Sequence, residues 1–184
     1  MFATDGTIRV RFAEVCWERM RAAVVYLALA GSMLGASLWL TWGELCYFLD
    51  DAFIHLAVAK HWAFDGVWGL TRHEPTASSS SIVWPMVLAG LMRMGGDWVW
   101  WPWVVNVALG LGLSAWLPRG LCRLGVEDRR LRNRIAVLCV LAGSLATLPL
   151  VGMEHTLQVW ASLGLVVSAR SEEHTSELQS PNTI

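Results

Sequence analysis

The sequence predicts an all-α protein made of transmembrane helices, and three observations carry the prediction. The composition is 55% hydrophobic and 16% charged, against roughly 45–50% and about 25% in soluble domains, and the mean hydropathy is +0.45. Two apolar runs, 22–40 and 98–117, are long enough to cross a hydrocarbon core of ~30 Å at 1.5 Å per residue. Many of the twelve tryptophans gather at the edges of apolar runs (Trp39, Trp42, Trp98, Trp100, Trp101, Trp103). Such rings either lie at the lipid headgroup level or pack helices together.

The same inventory excludes several classes. A net charge of −1, with no basic block interleaved with aromatics, gives no reason to expect a nucleic-acid partner. Cys16, Cys46, Cys122 and Cys139 fall on separate segments without CxxC or Cys/His spacing, which predicts free thiols rather than a disulfide or zinc set. No glycine-rich phosphate loop, HExxH, GxSxG or GxGxxG is present, so nucleotide-binding and hydrolase readings have no support.

Taken in order, residues 1–21 are polar and basic (Arg9, Arg11, Arg19, Arg21) and form the expected cytoplasmic tail of a retained first span, 22–40. Arginines before that span and acids after it (Glu44, Asp50, Asp51) place the N-terminus inside and the next loop, 47–81, outside. Within this loop, 52–64 lacks Gly and Pro and reads as a surface amphipathic helix, with Asp51 as its expected cap. At 100° per residue Asp51, His55, Val58 and Trp62 share a face and Lys60 points away. Asp65-Gly66 ends the helix, and 71–81 is a loop by composition.

Residues 82–94 are apolar but short and carry Pro85. The segment either crosses at a steep tilt or dips in and returns. A full crossing would put the most basic stretch of the chain (Arg119, Arg123, Arg129, Arg130, Arg132, Arg134) outside, so the charge rule favours the dip. The run 98–117 is then a second span ending at that cytoplasmic loop, 135–151 returns outward to deliver Met153-Glu154-His155, and a further helix begins at 157.

The stretch Asp50 to Trp84 carries the chemistry. A carboxylate pair opening off a membrane helix is costly to place and points to function. Asp50-Asp51, the helix after them, Gly66, and Thr76-Ala77-Ser78-Ser79-Ser80 leading to Trp84 resemble the first extracytoplasmic loop of bacterial integral-membrane glycosyltransferases of the GT-C fold. Gly152-Met153-Glu154-His155 is similar to that family's Gly-Met-Glu-Thr-like motif, with histidine in place of threonine.

The resemblance covers roughly the first third of such an enzyme. It implies a multi-pass protein of the bacterial inner membrane that transfers a sugar from a polyprenyl-phosphate-linked donor to a cell-envelope acceptor, on the extracytoplasmic side and with inversion. It makes 22–169 an N-terminal, truncated module, inactive alone. Asp50 and Asp51 are the candidate catalytic carboxylates, one facing the acceptor while the other caps the helix or holds a divalent cation, for which Asp51 is the candidate ligand. Substrate-binding candidates are His55, Arg72, His73, Ser79 and Glu154, with Arg72 and His73 placed to meet the donor phosphate. The competing reading is a non-enzymatic polytopic protein, a transporter or assembly factor, whose acids form an ion or proton site. Residues 170–180 (RSEEHTSELQS) break abruptly from the apolar helix and resemble an in-frame translation of a short-read sequencing adapter, so 170–184 is expected to be an artefactual tail.

Overall fold

A computed structural model describes residues 5–179, with side chains described for 20–170. The described residues form seven helices and no strand: α1 (Asp5–Leu40), α2 (Asp51–Phe64), α3 (Val83–Gly95), α4 (Trp101–Arg123), α5 (Arg129–Ala142), α6 (Leu148–Val151) and α7 (His155–Gln179). Two of them are long and apolar enough to cross a membrane, Met20–Leu40 within α1 and Trp101–Arg123. The polar segment expected as a separate tail is, from Asp5, the first part of the same helix as the apolar run. Nothing after Gly6 in that segment is a helix breaker, and Ala, Arg, Glu and Met are good helix formers. At its other end Thr41 donates to the Ser37 carbonyl (2.9 Å) and closes the last turn.

α1 and α4 pack antiparallel, and α5 joins them around a core of Ala22, Tyr26, Ala30, Leu113, Leu117, Ala136 and Val140. The contact is close because Gly110 lacks a side chain: a Cβ there would lie 2.2 Å from the Tyr26 hydroxyl oxygen. That hydroxyl donates to the Asn106 carbonyl at 3.3 Å. α7 runs beside α4 in the same direction, tied by the Trp160 indole N–H to the Leu109 carbonyl (2.8 Å) and by the Trp116–Trp160 ring contact. Its backbone stays helical to Gln179. The abrupt break expected at 170 is therefore absent from the backbone, while the side chains of 171–184 and the backbone of 180–184 lie outside the described residues.

The antiparallel pairing gives the bundle two unlike ends. At one lie Arg21, the C-terminal turn of α4 and the arginines that open α5. At the other lie Trp39, Trp42 and a nest of Trp98, Trp100, Trp101 and Trp103 whose rings meet mostly edge to face. The chain leaves α1 and enters α4 at this tryptophan end, so α2 and α3 between them make no net crossing of the bundle. The short apolar segment 82–94 falls in the 13-residue α3 (Val83–Gly95) with Ile82 at its cap position, and α3 packs on α2 over a second core of Tyr47, Ala52, Leu56, Ala59, Trp84, Leu88, Ala89 and Met92.

Two expectations are corrected. Residues 135–151 are not one continuous helix: α5 stops at Ala142, the chain turns through Gly143–Thr147 with Ser144 at φ 50°, and α6 restarts over Leu148–Val151. Gly143 weakens the helix there, and Pro149 fits only its first turn. Asp51 does not cap α2. It is the first helical residue, and Asp50 occupies the cap position with helical angles (φ −63°, ψ −29°) and no side-chain bond. A capping side chain, on a residue in an extended conformation, accepts from a backbone N–H two or three residues further on. Here backbone bonds from Phe53 and Ile54 to the Asp50 carbonyl tighten the turn instead.

Candidate functional site

His55 sits at the centre of the tryptophan end. α2 turns it, with Ala52, Leu56, Val58 and Ala59, toward α3 and the serine loop, and leaves it 1% exposed. Its Nδ1 lies 2.9 Å from the Ser79 hydroxyl and its Nε2 3.4 Å from that of Ser80. The Ser79 hydroxyl proton is given to the Ser81 carbonyl, so Nδ1 carries the imidazole proton and donates to Ser79, and Nε2 accepts from Ser80. Burial pushes the His55 pKa below the ordinary imidazole value, and the negative charges of Glu154 and Asp51 oppose that shift. A neutral imidazole agrees with the two-sided bonding.

The serine segment serves the fold and the site together. Ser81 accepts from the Trp84 backbone N–H (3.3 Å) and so finishes the start of α3, while Thr76 and Ser78 bond each other at 2.7 Å. Ser79 and Ser80 are left to hold the histidine.

Glu154 arrives from far along the sequence. The Trp84 indole donates to the Gly152 carbonyl at 3.0 Å, Asn106 Nδ2 donates to the Met153 carbonyl at 2.9 Å, and the Phe48 N–H donates to the Leu150 carbonyl at 2.9 Å. Gly152 makes the turn at φ 74°, against Tyr47 and Ala52. These ties leave Glu154 9% exposed. Its Oε1 accepts from Gln158 at 3.3 Å, and its Oε2 is buried without a partner.

The remaining candidates divide. Asp51 is exposed, yet it lies one turn from His55 and near enough for its charge to act there. Asp50 is exposed at the head of α2, and no contact links it to His55. Arg72 and His73 are exposed in the loop closed by the Thr76 N–H bond to the Trp68 carbonyl (2.9 Å), where Arg72 Nε reaches His73 at 3.5 Å, and the structure does not join them to the histidine. Among the described residues no three His, Cys, Asp or Glu side chains are grouped to hold a metal ion.

Two contributors, Tyr47 and Asn106, escaped the sequence reading, and the docking role of Trp84, named there only as the end of the serine segment, did too. Tyr47 donates to the Val99 carbonyl (2.7 Å) and accepts from the Trp103 N–H (3.2 Å), fixing the loop to the head of α4; burial raises its pKa well above the ordinary phenol value. Trp84 and Asn106 dock the 152–154 turn. Only Asn106 had a visible signal, as an amide inside an apolar run that must find buried partners.

The assembly is a buried, neutral imidazole bonded to two serine hydroxyls, with the charges of Glu154 and Asp51 near enough to act on it, at one end of a helical bundle. Such a set can orient a hydroxyl, accept its proton, or hold a polar substrate group out of water. No family model, no curated protein and no solved structure matches this chain.

Proposed function

We propose that the protein is a polytopic membrane glycosyltransferase of the GT-C type, with the helix pair α2–α3 at the outer surface of a bacterial inner membrane. In this reading a sugar passes from a polyprenyl-phosphate-linked donor to a cell-envelope acceptor on the extracytoplasmic side. The observation that carries the proposal is the docking of Glu154 beside the Asp51–His55–Ser79 set, at the end of the bundle away from the arginines. Two segments singled out by the family resemblance, far apart in sequence, thereby meet at one place.

The chemistry assigned to these residues is modest. A carboxylate of the Asp50–Asp51 pair takes the proton of the acceptor hydroxyl as its oxygen bonds to the anomeric carbon, and the lipid phosphate leaves with the electrons of the broken C–O bond. Arg72, exposed on the loop, meets the departing phosphate. His55 is a positioning residue: its two ring bonds hold Ser79 and Ser80 against α2.

Sugar transfer by the purified protein reconstituted in lipid tests the proposal. Asp50→Asn or Asp51→Asn should lower turnover by roughly 10²–10⁴-fold with folding retained. Near-normal turnover in both variants would remove the pair from the mechanism. It would favour the second reading, a non-enzymatic proton or ion site, for which the buried, unpartnered Oε2 of Glu154 speaks.

A further inference from the structure

A cavity lies at the arginine end of the bundle, away from His55. About 610 Å³ in volume, it opens between α1 and α5, lined by Arg21, Arg130, Asn133, Arg134, Val137 and Leu138. Arg130 and Arg134 stand one turn apart on α5, so both guanidinium groups address the same space. Neither makes a side-chain hydrogen bond or ion pair among the described residues, whereas their neighbour Arg132 is spent on the Val126 and Glu127 carbonyls (2.9 and 2.7 Å). Asn133, 9% exposed, opens into the cavity between them.

Charge and shape identify an occupant. The stretch 119–134 holds six arginines against Glu127 and Asp128, so an anion is favoured, and planar guanidinium groups suit a phosphate bidentately. A soluble anion would leave the Val137 and Leu138 wall without a role. That wall continues along α5 toward the exposed Leu141, in the direction a lipid chain takes from its headgroup.

We infer that this cavity binds the phosphate headgroup of an anionic glycerophospholipid of the inner leaflet, with its acyl chain along Val137 and Leu138. The inference rests on the membrane-spanning reading of α1 and α4 but not on sugar transfer. It adds a lipid site on the face opposite the proposed reaction.

The test is native mass spectrometry of the full chain in neutral detergent, titrated with phosphatidylglycerol, phosphatidylcholine or inorganic phosphate. Phosphatidylglycerol should be retained roughly thirty-fold better than phosphatidylcholine, the preference two arginines confer at a membrane surface. Arg130→Gln with Arg134→Gln should abolish that preference, and Arg123→Gln, outside the cavity lining, should keep it. Leu138→Trp fills the cavity from an exposed position without changing charge, and should also lower retention, so the test survives if the double variant folds poorly. Equal retention of the two lipids would overturn the inference. So would an Arg123→Gln loss as large as that of the double variant, full retention in Leu138→Trp, or displacement by inorganic phosphate at lipid-like concentrations. Recovery of the chain from the soluble fraction without detergent would overturn the membrane reading as well, which keeps the two failures apart.

Discussion

His55 is buried, bonded on both ring nitrogens, and neutral. An unfolded imidazole titrates near pH 6.5, and burial sets the folded value lower. As pH falls below about 6.5 the unfolded chain therefore takes up a proton that the folded chain refuses, and the stability this group supplies at neutral pH is lost. Melting of the detergent-solubilised protein should drop between about pH 7.5 and pH 5.5, with a shallower slope in His55→Gln; equal slopes would mean that His55 is not the titrating group. Ser79→Ala removes the acceptor of the Nδ1 proton and leaves a buried donor unpaired, at a cost of about 1–3 kcal/mol, read by denaturation. The Asp51–His55 face was legible in sequence because spacing of four fixes a helical face. The role of Asp50 as cap residue without a capping bond was not, since local backbone angles decided it.

Among the elements, the turn at Gly152 joins the two halves of the candidate site. Its φ of 74° disfavours any side chain, and a Cβ would approach Tyr47 Cδ1 to 2.6 Å and the Ala52 Cβ to 2.7 Å. Gly152→Ala should cost about 1–2 kcal/mol for the left-handed conformation and a further ~1–3 kcal/mol for overpacking. Denaturation midpoints check this, and a loss below ~0.5 kcal/mol would mean the turn relaxes freely. Apolar length and composition made α1 and α4 readable, and the absence of breakers in 52–64 made α2 readable. The break between α5 and α6 was missed because Gly143 and Pro149 are each tolerated near helices, and only tertiary contacts of Leu145, Ala146 and Leu150 settle where the chain turns. Glu154 was a site candidate through the motif resemblance alone; spacing could not show how it docks, which depends on Trp84 and Asn106 reaching backbone carbonyls of a distant turn.

At the scale of the whole molecule, the arginines of 119–134 and the tryptophans of 98–103 lie at opposite ends of an antiparallel helix pair. This is the pattern expected of a bilayer-spanning bundle whose basic end faces the cytoplasm. Sequence charge alone suggested that arrangement, and α2 and α3, packed on each other at the tryptophan end, make no net crossing of the bundle. The proposed topology puts Cys46, exposed beside Tyr47, outside, and Cys122, exposed in the last turn of α4, inside. The most direct measurement is labelling of single-cysteine variants that retain only Cys46 or only Cys122, in intact cells made permeable at the outer membrane, with a thiol reagent that does not cross the inner membrane. Labelling of Cys46 from outside, with Cys122 labelled only after the membrane is opened, is the predicted result; labelling of Cys122 from outside while Cys46 is protected would contradict the account.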